Sequence, residues 1–257
     1  MGTSAKTETL FQQILQRARD DDDVLGLVLT GSRGRGFANA YSDYDCALIV
    51  KDEALSAYES EFSSLPDSVE LSIFTLGSFR SHAAWGSDLA WDRYTWAHLV
   101  ADPDKTGGEI QRLVDEKSSV PEKHARAFVE GSLDGYVNRV YRSFKAHRAG
   151  DYLSYQLEAA ESIPPLLRAL FCLHGRRVAP YYKYLRWELE KDPLTKLSIS
   201  SDELLEHILT IIQTGDYKGQ QVLLREAERI ARLDGFGRVF DDWSGKDRWA
   251  MDYEPPG

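Results

Sequence analysis

At 257 residues, 42% hydrophobic and 28% charged, the chain can bury a proper core and has room for one large domain or two modest ones. Its formal net charge of −10 argues against a surface that tracks a nucleic-acid backbone, which needs a basic stripe to replace condensed counterions. No apolar run approaches the roughly 20 residues needed to span a bilayer, and the N-terminus MGTSAKTETLFQQ lacks a signal-peptide pattern, so the sequence predicts a soluble, cytoplasmic protein.

The first half reads as mixed α/β. Leu10, Phe11, Ile14 and Leu15 have helical spacing over residues 7–19, and the compact apolar run VLGLVLT at 24–30 reads as a buried strand. Between them, Asp20 to Asp23 read as a solvated loop. A glycine-rich stretch, GSRGRGFANAYSD, leads into a second strand, YDCALIV, at 44–50. After a helical segment and the turn LPDS comes a third, VELSIFTL, at 69–76, and AHLVAD at 97–102 is a candidate fourth. From about residue 107 the strand signal ends. Helical patterns follow at 107–118, 122–148, 151–176, 180–191, 201–214 and 218–234, separated by short breakers such as AGD and TGD. Short connections between helices imply a bundle. The sequence therefore predicts an α+β chain with a small mixed β-sheet flanked by helices over 1–120 and an α-helical bundle over 121–257. Pro164 and Pro165 should kink or end a turn in the third of these helices. Cys46 and Cys172 lie in apolar stretches without metal-ligand spacing and read as small buried hydrophobes. The C-terminal tail, DDWSGKDRWAMDYEPPG, should pack its tryptophans on the bundle.

The segment that carries chemistry lies between the first two strands: Gly31-Ser32, ten further residues, then Asp43-Tyr44-Asp45. Gly31 lets the chain leave a strand in a tight turn close to a ligand, and Ser32 offers a hydroxyl and amide donors to phosphate oxygens. Arg33 and Arg35 carry forked guanidinium groups suited to phosphate. Asp43 and Asp45, two apart on an extended segment, leave the same face as hard oxygen ligands for Mg²⁺. In the third strand Val69, Leu71 and Ile73 share one face, so Glu70 projects from the other and would complete a metal set if that strand lies beside the second. Taken alone, SDYD entering a strand is ordinary turn chemistry; the glycine-rich connection and the following Glu70 favour a metal site.

These residues resemble the DNA polymerase β-like nucleotidyltransferase superfamily, whose motif is Gly-Ser, a variable spacer, Asp-x-Asp, then a third carboxylate on a later strand. The close match covers residues 24–75. With the helical second half, the chain looks most like the aminoglycoside and lincosamide nucleotidyltransferases. The resemblance implies one or two Mg²⁺ ions, replaceable by Mn²⁺, on Asp43, Asp45 and Glu70. It also implies a nucleoside triphosphate, with ATP expected, and an active site in a cleft between the two halves. By the same resemblance Glu161 becomes the base toward the acceptor and Lys183 a contact to the triphosphate. A helical wheel that places Leu153, Leu157, Ala160, Ile163, Leu167 and Leu170 on one apolar face puts Glu161 at its border and Glu158 well away. The acidic charge favours a small cationic, hydroxylated acceptor over nucleic acid. Two other readings remain: nucleotidylation of a protein or tRNA, and a nucleotide-binding module without catalysis. The pairs Arg142/His147 and Arg168/His174 loosely fit the spacing of helical ribonucleases, a pattern that chance readily produces.

Overall fold

A computed structural model describes residues 5–87, 96–243, 249 and 252–254. The chain divides into two compact units, Met1–Ser119 and Val120–Gly257. In the first, α1 (Ala5–Asp20) precedes β1 (Val24–Leu29), a one-turn helix α2 (Gly31–Gly34) and β2 (Tyr44–Val50). Then come α3 (Leu55–Glu61), β3 (Val69–Thr75), α4 (Leu76–Ala83), β4 (Ala101–Asp104) and α5 (Glu109–Lys117).

Among the described residues the sheet has the order β3-β2-β1-β4, with β1 antiparallel to β2 and β4, and β2 parallel to β3. Both faces are covered, which explains why β2 is an almost continuous apolar run rather than an alternating one. Tyr44, Cys46, Leu48, Val50 and Val69 share one core cluster with Phe11 and Ile14 of α1 and Tyr58 of α3. On the opposite face Ala47, Ile49 and Val28 pack with Phe79 of α4 and Ile110 and Leu113 of α5. The fourth strand is shorter and later than AHLVAD at 97–102 suggests. It is the segment ADPD, defined by pairing of Ala101 with Val28 and of Asp104 with Gly26 rather than by its own β-propensity. Proline is tolerated there because the strand lies at the sheet edge.

The second unit is helical: α6 (Glu122–Arg148), α7 (Tyr152–Leu173), a 3₁₀ turn (Tyr182–Tyr184), α8 (Leu185–Lys191), α9 (Ser201–Thr214), α10 (Tyr217–Leu233) and α11 (Arg238–Asp241). Side-chain caps fix several starts: Asp151 accepts from Ser154 N, and Ser200 and Glu203 form a capping box. Contrary to the sequence expectation, α7 runs through Pro164 and Pro165. The two N–H groups that proline lacks would have served the carbonyls of Ala160 and Glu161, which are half-buried and exposed, so water can take their place. The apolar face of α7 agrees with the wheel at Ile163, Leu167 and Leu170, which are buried, and departs from it in the first turns, where Tyr155 and Ala159 are buried and Leu153 and Leu157 are 72% and 56% exposed. Small and aromatic side chains make the seam here: Ser143 of α6 donates to Tyr155 O, and Gly135 of α6 faces the Pro165 ring. In the C-terminal tail, Trp243 and Trp249 pack on Tyr141 of α6; residues 244–248, 250–251 and 255–257 of that segment lie outside the described residues. Both cysteines are buried and unpaired, and burial raises the Cys46 thiol to about 12 and that of Cys172 to about 11. No helix among the described residues is long and apolar enough to cross a membrane.

One half-buried histidine makes the second unit sensitive to acid. His174 Nδ1 lies 2.6 Å from Leu170 O, so it carries the proton, while Nε2 accepts from Lys196 N at 2.9 Å. A second proton on the ring would remove that acceptor. Burial, and secondarily the nearby Lys196 and Arg177, lower its pKa below the ordinary 6.5, against the bond to Leu170 O and the charge of Asp234. The unfolded chain therefore takes up a proton that the folded chain resists. The stability from neutral His174 is complete above the unfolded pKa and is lost as pH falls below it. Melting midpoints measured from about pH 7.5 down to about pH 5 are expected to fall more steeply for the wild type than for His174→Gln. Parallel slopes would assign the acid sensitivity to other groups.

Candidate active site

Asp45 lies on the inner strand β2 and Glu70 on the edge strand β3 beside it, while Asp43 stands just before β2. β2 and β3 pair in parallel with Asp45 directly opposite Glu70. In a parallel pair, residues in register project from the same face, so the two carboxylates are neighbours. That is the face of Ala47 and Ile49, and the carboxylates stand at the end of it where the apolar cluster stops. Val69, Leu71 and Ile73 take the other face with the α1 core, as their alternation predicts. Asp43 is exposed and lies two residues before Asp45.

The backbone before the loop is shaped to pack closely on Asp45. Thr30 closes the end of β1 onto β2 through its N–H (2.7 Å) and Oγ1 (3.0 Å), both donating to Asp45 O. Gly31 then turns the chain at φ +60°, and a Cβ there would overlap the Asp45 carboxylate. Gly34 is equally constrained, since a Cβ would overlap Leu29 O. Gly31 and Ser32 are buried.

Arg33 and Arg35 have work inside this loop. Arg33 Nε and Nη2 donate to Ser42 O at 3.2 and 2.9 Å, and Nε also donates to Asp43 O at 2.9 Å. Its guanidinium carbon stands 4.0 Å from the centroid of the Tyr44 ring. The Tyr44 hydroxyl donates to Glu8 of α1, and the ring stacks on Phe11 at 4.3 Å. Burial first, and then the bond to Glu8, raise Tyr44 to about 12, so it stays protonated as a donor; that same bond lowers Glu8. Arg35 is buried, with Nη1 donating to Gly31 O at 2.9 Å. Thr30, Tyr44 and Glu8 thus support the site although no motif marks them.

The remaining candidates belong to the second unit. Arg139 pairs with both Glu158 (2.7 Å) and Glu161 (2.8 Å), and the side chains are 20% and 59% exposed respectively. Glu158 is therefore the one nearer the packed seam, the reverse of the wheel, because the seam runs along Tyr155 and Ala159 rather than Leu153 and Leu157. Lys183 is exposed on the 3₁₀ turn with Nζ 5.5 Å from the Tyr184 ring centroid. The histidines of the two Arg–His pairs are held by structural bonds: His147 Nδ1 to the Tyr253 hydroxyl at 2.6 Å, and His174 as described above.

Hard carboxylate oxygens on adjacent strands suit a divalent cation such as Mg²⁺ or Mn²⁺. Asp45 and Glu70 supply two such oxygens side by side, so the donor chemistry present fits such an ion. Among the described residues, no three His, Cys, Asp or Glu side chains already stand together as a metal-ligand group.

Residues 11–83, from α1 through α4, match the family model described as "Nucleotidyltransferase domain". The chain is also similar to a solved nucleotidyltransferase-like protein from Exiguobacterium sibiricum 255-15. Identity is 11% and the TM-score 0.40, over 92% of this chain and 77% of that one. No curated protein matches the sequence.

Proposed function

We propose that the protein is a metal-dependent nucleotidyltransferase that transfers a nucleoside monophosphate, AMP in the first instance, to a hydroxyl of a small cationic molecule such as an aminoglycoside or lincosamide. The observation that carries the reading is the in-register pair Asp45 and Glu70 beneath the Gly31 turn, inside the matched domain. Asp43, Asp45 and Glu70 would hold Mg²⁺, which supplies neutralisation of the triphosphate and stabilisation of the entering and leaving oxygens. The Gly31-Ser32 turn and Lys183 take the outer phosphates. The acceptor oxygen bonds to the α-phosphorus as the bond to the β-phosphate bridging oxygen breaks. Pyrophosphate departs, and the acceptor proton passes to a carboxylate, Glu161 in this assignment. The charge of −10 supports a cationic acceptor, attracted more strongly at low salt.

The test is pyrophosphate release from ATP, GTP, CTP and UTP across a panel of aminoglycosides and lincosamides. Release dependent on one nucleotide and one antibiotic class is expected. If none of these compounds binds more tightly than about millimolar while radioactive ATP labels a protein or tRNA, the small-molecule reading is replaced by the macromolecular one. Within the active reaction, Glu161→Gln should leave nucleotide binding intact and slow transfer by about a hundredfold or more. A loss of tenfold or less moves the base to Glu158.

A further inference from the structure

The loop between Gly31 and Asp43 has the composition of a phosphate cradle, yet its first arginine points back into the loop. Arg33 spans from one end of the loop to the other, and three of its hydrogen bonds go to the main-chain oxygens of Ser42 and Asp43. The guanidinium carbon stands 4.0 Å from the ring centroid of Tyr44, the residue between the two aspartates, and Tyr44 is in turn fixed to α1 through Glu8 and Phe11. Asp43 is exposed and has no strand neighbour of its own, because the β2–β3 register begins at Tyr44 and Val69. Arg33 is thus the side chain that ties the main chain at Asp43 to the start of the loop.

We infer that Arg33 is a positioning residue, which acts by holding Asp43 where its carboxylate can join Asp45 and Glu70 on a divalent cation. The inference rests on the metal site proposed above and assigns Arg33 a part different from phosphate recognition. The two parts make opposite demands. A phosphate contact acts on the nucleotide, so its loss would weaken nucleotide affinity and leave metal affinity without nucleotide unaffected. A positioning residue works through the planar fork that bridges two carbonyls and stacks on a ring. Lysine has neither the fork nor the flat face.

The experiment is Mn²⁺ binding to the full chain without nucleotide, read from the free-ion electron paramagnetic resonance signal, for the wild type, Arg33→Met and Arg33→Lys. Loss of a group that orients a metal ligand typically weakens metal affinity by about 10–100-fold, and a loss in that range is expected for both variants. Thermal melting accompanies each titration, and Arg33→Lys retains the aliphatic stem should Arg33→Met fail to fold. Wild-type Mn²⁺ affinity in either folded variant overturns the positioning role, as does full rescue by lysine together with a loss confined to nucleotide affinity. Absence of Mn²⁺ binding by the wild type itself overturns the metal site, and the role of Arg33 with it.

Discussion

Replacing Asp45 with Asn is expected to lower turnover by roughly a hundredfold to ten-thousandfold while leaving the fold intact, because a metal ligand contributes several kcal/mol to transition-state stabilisation. The separation of activity from stability follows from how Asp45 is used. Its main-chain oxygen, which asparagine keeps, accepts from Thr30 N and Oγ1 and closes β1 onto β2. Its side chain sits beyond the apolar cluster of that face. Steady-state pyrophosphate release combined with thermal melting reads both quantities. Near-wild-type turnover in Asp45→Asn would show that the carboxylate holds no catalytic metal.

Gly31→Ala is expected to fail on both counts. The left-handed φ of +60° costs a non-glycine residue about 1–3 kcal/mol, and the new Cβ meets the Asp45 carboxylate. Either the turn moves or Asp45 does, and turnover should drop by an amount comparable to that of Asp45→Asn. The two effects separate in a double-mutant cycle. In an Asp45→Ala background the carboxylate is gone, so the stability cost of Gly31→Ala should shrink toward the backbone component alone. An unchanged cost would place the clash elsewhere, and a fully active Gly31→Ala would remove the argument for a tight approach of the turn to Asp45.

Much of this fold is legible in the sequence where local signals and tertiary packing agree. The second strand and the helices at 122–148 and 201–214 have their expected limits because apolar runs, helical periodicity and a capping box point the same way. The fourth strand is not legible in that way: Ala101–Asp104 contains a proline and two aspartates and is a strand only because β1 offers it an edge. The first turns of α7 mislead for a related reason, since Leu153 and Leu157 suggest a core that Tyr155 and Ala159 in fact make. At the site, the motif and the alternation of the third strand locate Gly31, Asp43, Asp45 and Glu70. What residue type alone cannot reveal is the direction of a long side chain. Arg33 and Arg35 look like phosphate ligands by composition, and the geometry of their hydrogen bonds shows them bracing the loop.

The pairing of Asp45 with Glu70 has a consequence for the apoprotein. Like charges placed opposite one another across two strands oppose the pairing that brings them together. The sheet therefore forms against a local electrostatic penalty, which the downstream pairs, among them the apolar Leu48/Ile73 and Ile49/Phe74, must outweigh. A divalent cation would reverse the sign of that interaction and couple its own binding to the cohesion of the sheet.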